Sequence, residues 1–247
     1  MGKNQNVYDN EIFFEGYKGI RKQENNYNKL QEQPAIKSLL PDLKGKRVLD
    51  LGCGYGESCS YFIENGAEKV VGIDISKKML EVAEKENSHE NIEYLEKSMD
   101  NIENLSEKFD LVYSSLAIHY MEDFKKLLMD INSLLREDGL FVYSQEHPLV
   151  TAHETGQRWT RDENGMGVHY NLANYMKSGK RETTWFIDGV VKYHRTFSEI
   201  INTMNECGFQ IEKILEPLPS EEDIKLIPKM VQDFHKPNFL VIRAGKR

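Results

Sequence analysis

Apolar and polar positions change rhythm repeatedly along this chain, and each change marks an element. Short apolar runs, "KRVLDLG" (46 to 52), "KVVGIDI" (69 to 75), "KFDLVYSSLA" (108 to 117) and "LFVYSQEH" (140 to 147), predict strands, with "NIEYLEKS" (91 to 98) a weaker one. Helical spacing fills the gaps. A helix over roughly 57 to 65 follows the first strand, and "KKMLEVAEKEN" follows the second, with Ser76 as its cap. In "EDFKKLLMDINSLLREDG", Phe124, Leu127, Leu128, Ile131, Leu134 and Leu135 recur at helical spacing, and Gly139 stands at the expected stop. Alternating strands and helices of this kind build a mostly parallel sheet with helices on its faces.

The rhythm breaks at residue 148. Residues 148 to 192 hold glycines, charges and scattered aromatics without a sustained period, which reads as an insertion or lid on the same domain. Order returns with the helix "TFSEIINTMNECGF" ending near Gly208, then the strands "QIEKILEP" and "NFLVIRAG"; between them "SEEDIKLIPKMVQDF" reads as a helix interrupted at Pro228. Residues 1 to 40 read as an N-terminal helical cap, amphipathic in parts with Phe13, Phe14, Tyr17 and Ile20 on one side, ahead of a domain over 41 to 247.

Composition narrows the picture. With 39% apolar and 29% charged residues in 247, the chain can bury a full core without staples, and no apolar run approaches the roughly 20 residues of a membrane span. A net charge of −8 argues against a large phosphate-binding face, so no nucleic-acid partner is expected. Cys53, Cys59 and Cys207 form no CxxC pair and read as reduced thiols, and no H-E-x-x-H or similar spacing occurs, so no metal is expected. The start lacks an apolar signal segment, and Gly2 is a poor lipidation start because residue 6 is Asn; the expected compartment is the cytoplasm.

Candidate chemistry concentrates in "GCGYG" after the first strand. In an open parallel sheet, ligands bind beyond the carboxyl ends of the strands, and Gly52, Gly54 and Gly56 permit positive φ and close backbone approach there. A dinucleotide fingerprint wants a small residue at position 57, where Glu57 would repel a pyrophosphate. Asp74 ends the second strand 22 residues after Gly52, near the separation at which a carboxylate reaches a ribose diol. Together these features specify a nucleoside without a diphosphate. Tyr17 and Arg21, one helical turn apart, can reach a ligand carboxylate if their segment folds over the sheet top; otherwise they belong to a solvated helix face.

On "VLDLGCGYG", "VVGIDIS" and "FDLVYSSLAIHYMED", the chain resembles the class I S-adenosylmethionine-dependent methyltransferases, confidently over roughly 46 to 145 and more loosely to the C-terminal strands. The resemblance implies an α/β fold: a doubly wound, seven-stranded, mostly parallel Rossmann-like sheet with its last strand antiparallel and an insertion after strand 5. It implies S-adenosyl-L-methionine as cofactor, with Asp50 and the Gly52 to Gly56 turn (including Cys53 through its backbone) around the methionine part and Asp74 on the ribose. Ile75 and Met79 are expected against the adenine, although Met79 at helical spacing is equally a core residue. Where relatives carry an acidic residue near the adenine amino group, alignment places Ser98 with Met99 next, and Asp100 is a substitute. Ser114, at the end of the fourth strand, completes the expected cofactor set.

The implied activity is transfer of the sulfonium methyl to an oxygen or nitrogen of a small-molecule acceptor. Hydroxyl acceptors shed a proton, so His119 after the fourth strand, His147 closing the fifth and His194 in "KYHRTF" are candidate bases, or else histidines that only shape the pocket. His89, His153, His169 and His235 read as surface or insertion residues. Trp159, Tyr170, Tyr175, Trp185 and Phe186 either line an acceptor pocket or hold the insertion down. Three alternatives compete. An NAD(P)-dependent oxidoreductase is disfavoured by Glu57, a nucleic-acid methyltransferase by "SSLA" where an NPPY-like tetrad belongs, and a non-catalytic cofactor-binding module by the aromatic insertion.

Overall fold

The computed structural model describes residues 5–247, so Gly2 lies outside the described residues. A turn of 3-10 helix (Val7–Asp9) leads into α1 (Glu11–Lys22), then a single π-helical turn (Asn28–Glu32) and α2 (Gln33–Lys37). β1 (Arg47–Leu51), α3 (Glu57–Glu64), β2 (Lys69–Asp74), α4 (Lys77–Glu86), β3 (Ile92–Glu96), β4 (Phe109–Ser114), α5 (Phe124–Leu134) and β5 (Leu135–Glu146) follow the expected alternation. Ser76 caps α4 as expected, accepting from the Met79 amide.

The strands form one seven-stranded sheet in the order β3-β2-β1-β4-β5-β11-β10, where β10 is Phe209–Leu215 and β11 is Phe239–Lys246. The five strands from β3 to β5 run parallel, and β11 is antiparallel to both neighbours. Side chains alternate between two cores. Leu49, Leu51, Ile73 and Val112 pack against Leu128 and Ile131 of α5 on one face, while Val48, Val70 and Leu111 pack against Phe62 of α3 and Ile36 of α2 on the other. Each such side chain contributes about 1.5–3 kcal/mol, so every strand of the parallel half is anchored on both faces and its carboxyl end is held rigidly.

One boundary differs from the reading of the sequence. Leu135 opens β5, pairing with Phe109, and is not the last residue of α5. The left-handed residue of the turn that follows is Asp138 (φ +62), whereas Gly139 is glycine because a Cβ there would lie 2.8 Å from the Arg136 carbonyl. A helix stop and a tight turn both favour glycine, and only the pairing tells them apart.

Beyond β5 lie α6 (Pro148–Thr151) and two hairpins, β6 (Trp159–Arg161) with β7 (Gly167–Tyr170) and β8 (Gly179–Trp185) with β9 (Ile187–His194). Two-stranded ribbons bury no continuous face, which explains the missing period. α7 (Phe197–Glu206) carries a capping box of Thr196 and Glu199, and the later helical stretch breaks where expected into α8 (Glu221–Leu226) and a 3-10 segment, Pro228–His235. Among the described residues, no helix is long and apolar enough to cross a membrane.

Candidate active site

A cleft of about 1730 Å³ opens at the carboxyl ends of β1, β2 and β4. Its floor is the turn after β1, tied to the neighbouring strand by the Gly52 and Cys53 amides, which donate to the Ile73 carbonyl at 2.9 and 3.0 Å. Gly52, Gly54 and Gly56 all hold positive φ, at +75, +54 and +76. Their reasons differ. A Cβ on Gly52 would meet Ala117 at 2.6 Å and one on Gly56 the Tyr94 hydroxyl at 2.1 Å, but one on Gly54 would meet nothing within 4 Å. Gly54 is thus the bare backbone that faces open space, while Gly56 serves packing and does not line the cleft.

The Asp74 carboxylate lies across from Gly54, accepting its amide at 2.9 Å and that of Ser76 at 2.9 Å. A carboxylate offers about four lone-pair positions, so capacity remains for a ligand hydroxyl. Burial raises the Asp74 pKa, opposed by these backbone bonds. Asp50, 1% exposed, is pushed up to about 7 by burial, offset in part by the Cys59 thiol that donates to it at 3.4 Å and aided by the charge of Asp74. An unpaired buried carboxyl at a ligand edge is a costly feature, and a cationic ligand group relieves it.

The N-terminal segment does fold over the sheet top. Asp9 accepts from the Ser76 hydroxyl at 2.6 Å and the Lys78 amide at 3.2 Å, pinning the chain to the first turn of α4. Tyr17 and Arg21 line the cleft. Arg21 forms an ion pair with Glu57 and donates to Asn28, while its Nε is buried without a partner. Glu57, out of place for a phosphate loop, therefore belongs to an arginine of the N-terminal helix.

Of the other expected cofactor residues, Cys53, Ile75, Met79, Ser98 and Met99 line the cleft. Ser98 caps the 3-10 turn Met99–Asn104, and its hydroxyl faces Asp100 at 3.2 Å, so the two adenine-edge candidates sit together. Ser114 is not in the cleft. Its hydroxyl is fully buried and donates to the Leu51 carbonyl at 2.8 Å, joining β4 to β1.

The structure separates the three histidines. Only His119 lines the cleft; it is 3% exposed, and burial pushes its pKa down to about 4, leaving a neutral ring. Its Nδ1 accepts from the Glu146 amide at 3.5 Å, which keeps the ring proton on Nε2. His147 is engaged through both nitrogens, by Glu216 at 2.8 Å and by the Leu149 amide, which it caps. His194 is fully buried, bonded to the Thr151 hydroxyl at 2.9 Å and the Tyr175 carbonyl at 2.8 Å. Neither His147 nor His194 is brought to the cleft, because each is consumed in anchoring the segment after β5.

Several cleft residues were not singled out from the sequence. Glu146, at the end of β5, bonds Lys192 of β9 at 2.6 Å; burial opposes its ionisation, but the Lys192 ammonium holds its carboxyl below the usual range. Tyr8 and Tyr120 add a hydroxyl pair, and Trp185, from the β8–β9 tip, packs edge to face on Phe13 and Tyr17. The position of Glu146 at a parallel strand's carboxyl end was a usable signal. For Tyr8 no local pattern pointed to the cleft, and Lys192 reaches it only through Glu146. Of the five aromatics of the segment after β5, Trp185 alone lines it; Trp159 and Tyr170 pack edge to face at 5.1 Å, Tyr175 accepts from the Phe197 amide, and Phe186 sits on α1.

Comparison with known proteins agrees with this geometry. Residues 49–143 match the family model described as a methyltransferase domain. An uncharacterized protein of Haemophilus influenzae is 38% identical over 258 residues, spanning 100% of this chain and 99% of its own length. The crystal structure of a putative S-adenosylmethionine-dependent methyltransferase from Listeria monocytogenes superposes with a TM-score of 0.81 at 36% identity, covering 87% of this chain and 96% of that one. An S-adenosylmethionine-dependent methyltransferase from Mesorhizobium loti gives 0.80 at 36% identity, over 87% and 97%. With its strand order, glycine turn and these relatives, the chain belongs to the S-adenosylmethionine-dependent methyltransferases.

Proposed function

We propose that this methyltransferase acts on an oxygen or nitrogen of a small-molecule acceptor held between the β1 turn and the roof formed by α1 and the β8–β9 hairpin. The observation that carries the reading is the bare left-handed backbone at Gly54 with the Asp74 carboxylate bonded across to it, opening on a cleft roofed by Tyr17 and Trp185. Bound S-adenosylmethionine supplies an electrophilic methyl on a sulfonium sulfur.

In this reading Asp74 accepts from the ribose hydroxyls and Gly54 lets the backbone approach. Asp50 faces the ammonium of the methionine part, while Tyr17 and the free Nε of Arg21 serve its carboxylate. Ile75 and Met79 pack on the adenine, with Ser98, Met99 and Asp100 at its edge. On the acceptor side, His119 presents an Nε2–H donor, and the ionised Glu146 accepts the proton that a hydroxyl or amine sheds. Trp185 and α1 exclude water, so positioning supplies most of the acceleration.

Calorimetric titration with S-adenosylhomocysteine, S-adenosylmethionine and NAD tests the assignment: the first two bind and the third does not. Binding of NAD alone ends it.

A further inference from the structure

A second cavity, about 200 Å³, lies behind the cleft, and Glu146 and Trp185 are walls of both. It is small for a whole ligand, given that such pockets usually span about 300–1,000 Å³, and suits a head group. Three cations, Arg158, Arg181 and Lys192, share its remaining walls with Val150, His153 and three threonines whose hydroxyls bond within the protein.

The charges there do not balance. Arg181 is 3% exposed and spends its N–H groups on the backbone carbonyls of Ala152, Gly179, Lys180, Asn174 and Lys177. Carbonyls solvate a guanidinium without bringing a countercharge, and the carboxylate its charge acts on, Glu154, is shared with Lys177. The neighbouring carboxylates are already committed, Glu146 to Lys192 and Glu154 to Lys177. The Arg158 guanidinium, exposed at this wall, acts on Glu146 through its charge alone. His153, 7% exposed, donates to the Gly156 carbonyl through Nε2, so its buried, unpartnered Nδ1 is an acceptor and adds no donor to the cavity.

We infer that this side cavity receives the oxyanion end, carboxylate or phosphate, of the methyl acceptor. The inference deepens the proposed function and rests on it: the anionic head lies between Arg158 and Lys192, and the reactive atom lies on the cleft side of the shared wall, beside Glu146 and His119. Guanidinium and ammonium donors give such a head charge-assisted bonds, and the adjacent Arg181 supplies a fixed positive field.

The test is calorimetric titration of the full chain, with and without saturating S-adenosylhomocysteine, using inorganic phosphate, acetate and acetamide as probes. At least one anion binds, and acetamide, of the same size as acetate but uncharged, does not. Arg158→Gln, at an exposed position, weakens that binding by about tenfold or more, and Arg158→Lys by less. Tighter phosphate assigns a phosphate head, and tighter acetate a carboxylate. Absence of anion binding in both states, equal binding of acetamide, or an unchanged Arg158→Gln variant overturns the inference. Retained S-adenosylhomocysteine binding in a protein that ignores the anions removes the anion pocket alone. Failure to bind S-adenosylhomocysteine strikes instead at the cofactor reading, with the anion result still read on the unloaded chain.

Discussion

The two halves of the cleft are built in opposite ways. The half around the β1 turn comes from neighbours in sequence: Asp50, Gly52, Gly54 and Glu57 lie within one strand–turn–helix unit, and Asp74 ends the adjacent strand. The half under α1 and the β8–β9 hairpin is gathered from afar. Gln5 accepts from the Val191 amide at 2.7 Å, Phe13 meets Trp185 edge to face at 5.1 Å, and Glu146 pairs with Lys192. A local unit carries its function in a short motif. A composite one carries it only in contacts between distant segments, and those leave no periodic trace.

The largest expected effect is in the local half. In Gly56→Ala, the new methyl meets the Tyr94 hydroxyl, which is itself held by the Asn87 carbonyl at 2.9 Å, in a backbone that disfavours side chains. We expect a loss of about 2–4 kcal/mol in urea unfolding, against about 1 kcal/mol for Gly54→Ala, which has the positive φ but no clash. Equal losses at the two positions would erase the division between packing and ligand glycines.

Next in size, Asp74→Ala is expected to weaken S-adenosylhomocysteine by about 1.5–3 kcal/mol in calorimetry, as for the loss of charge-assisted bonds. Unchanged affinity would place the ribose elsewhere.

The third prediction concerns pH. The Asp50 carboxyl has a pKa near 7 in the free protein, and an ammonium partner favours its ionised form. Below about 7, binding must release a proton, so S-adenosylhomocysteine affinity falls by up to about tenfold per pH unit, and above that it levels off. Asp50→Asn flattens this profile. The stability of the unliganded protein runs the other way: because the folded pKa is raised, stability is lost as pH rises from about 4 to 7, and Asp50→Asn removes that loss.

The smallest effect tests the composite half. Gly16 lies inside α1, where alanine ordinarily stabilises by about 0.5–1 kcal/mol, but a Cβ there would stand 2.5 Å from the Phe186 ring. Gly16→Ala should therefore destabilise by about 1 kcal/mol in thermal unfolding, and the helical gain should return in a Phe186→Ala background. Independent effects of the two substitutions would show that the hairpin tip does not rest on α1.

The same contrast explains which candidate residues were legible. Asp50, Asp74 and Gly54 were legible as neighbours at one end of the sheet because a strand end and a tight turn place them there. Gly56 was readable as a turn residue but not as a packing one, since Tyr94 lies on another strand. The three histidines were indistinguishable in sequence: each follows or ends an element near the ligand edge. What separated them was hydrogen bonding, Glu216 on His147 and Thr151 with Tyr175 on His194, against His119 alone in the cleft. Gly139 shows the limit in the fold itself, because the turn it serves became visible only through the pairing of Leu135 with Phe109.

By itself the amino-acid sequence determined the alternation of strands and helices, the glycine turn and the acidic strand tip, because these depend on spacing within a few tens of residues and on backbone conformations that few residue types allow. Tertiary structure alone decided that Arg21 meets Glu57, that Glu146 meets Lys192 and that the hairpin tip closes on Gly16. Those are contacts among segments with no common period, selected by how the N-terminal helix and the ribbons after β5 pack over one end of the sheet.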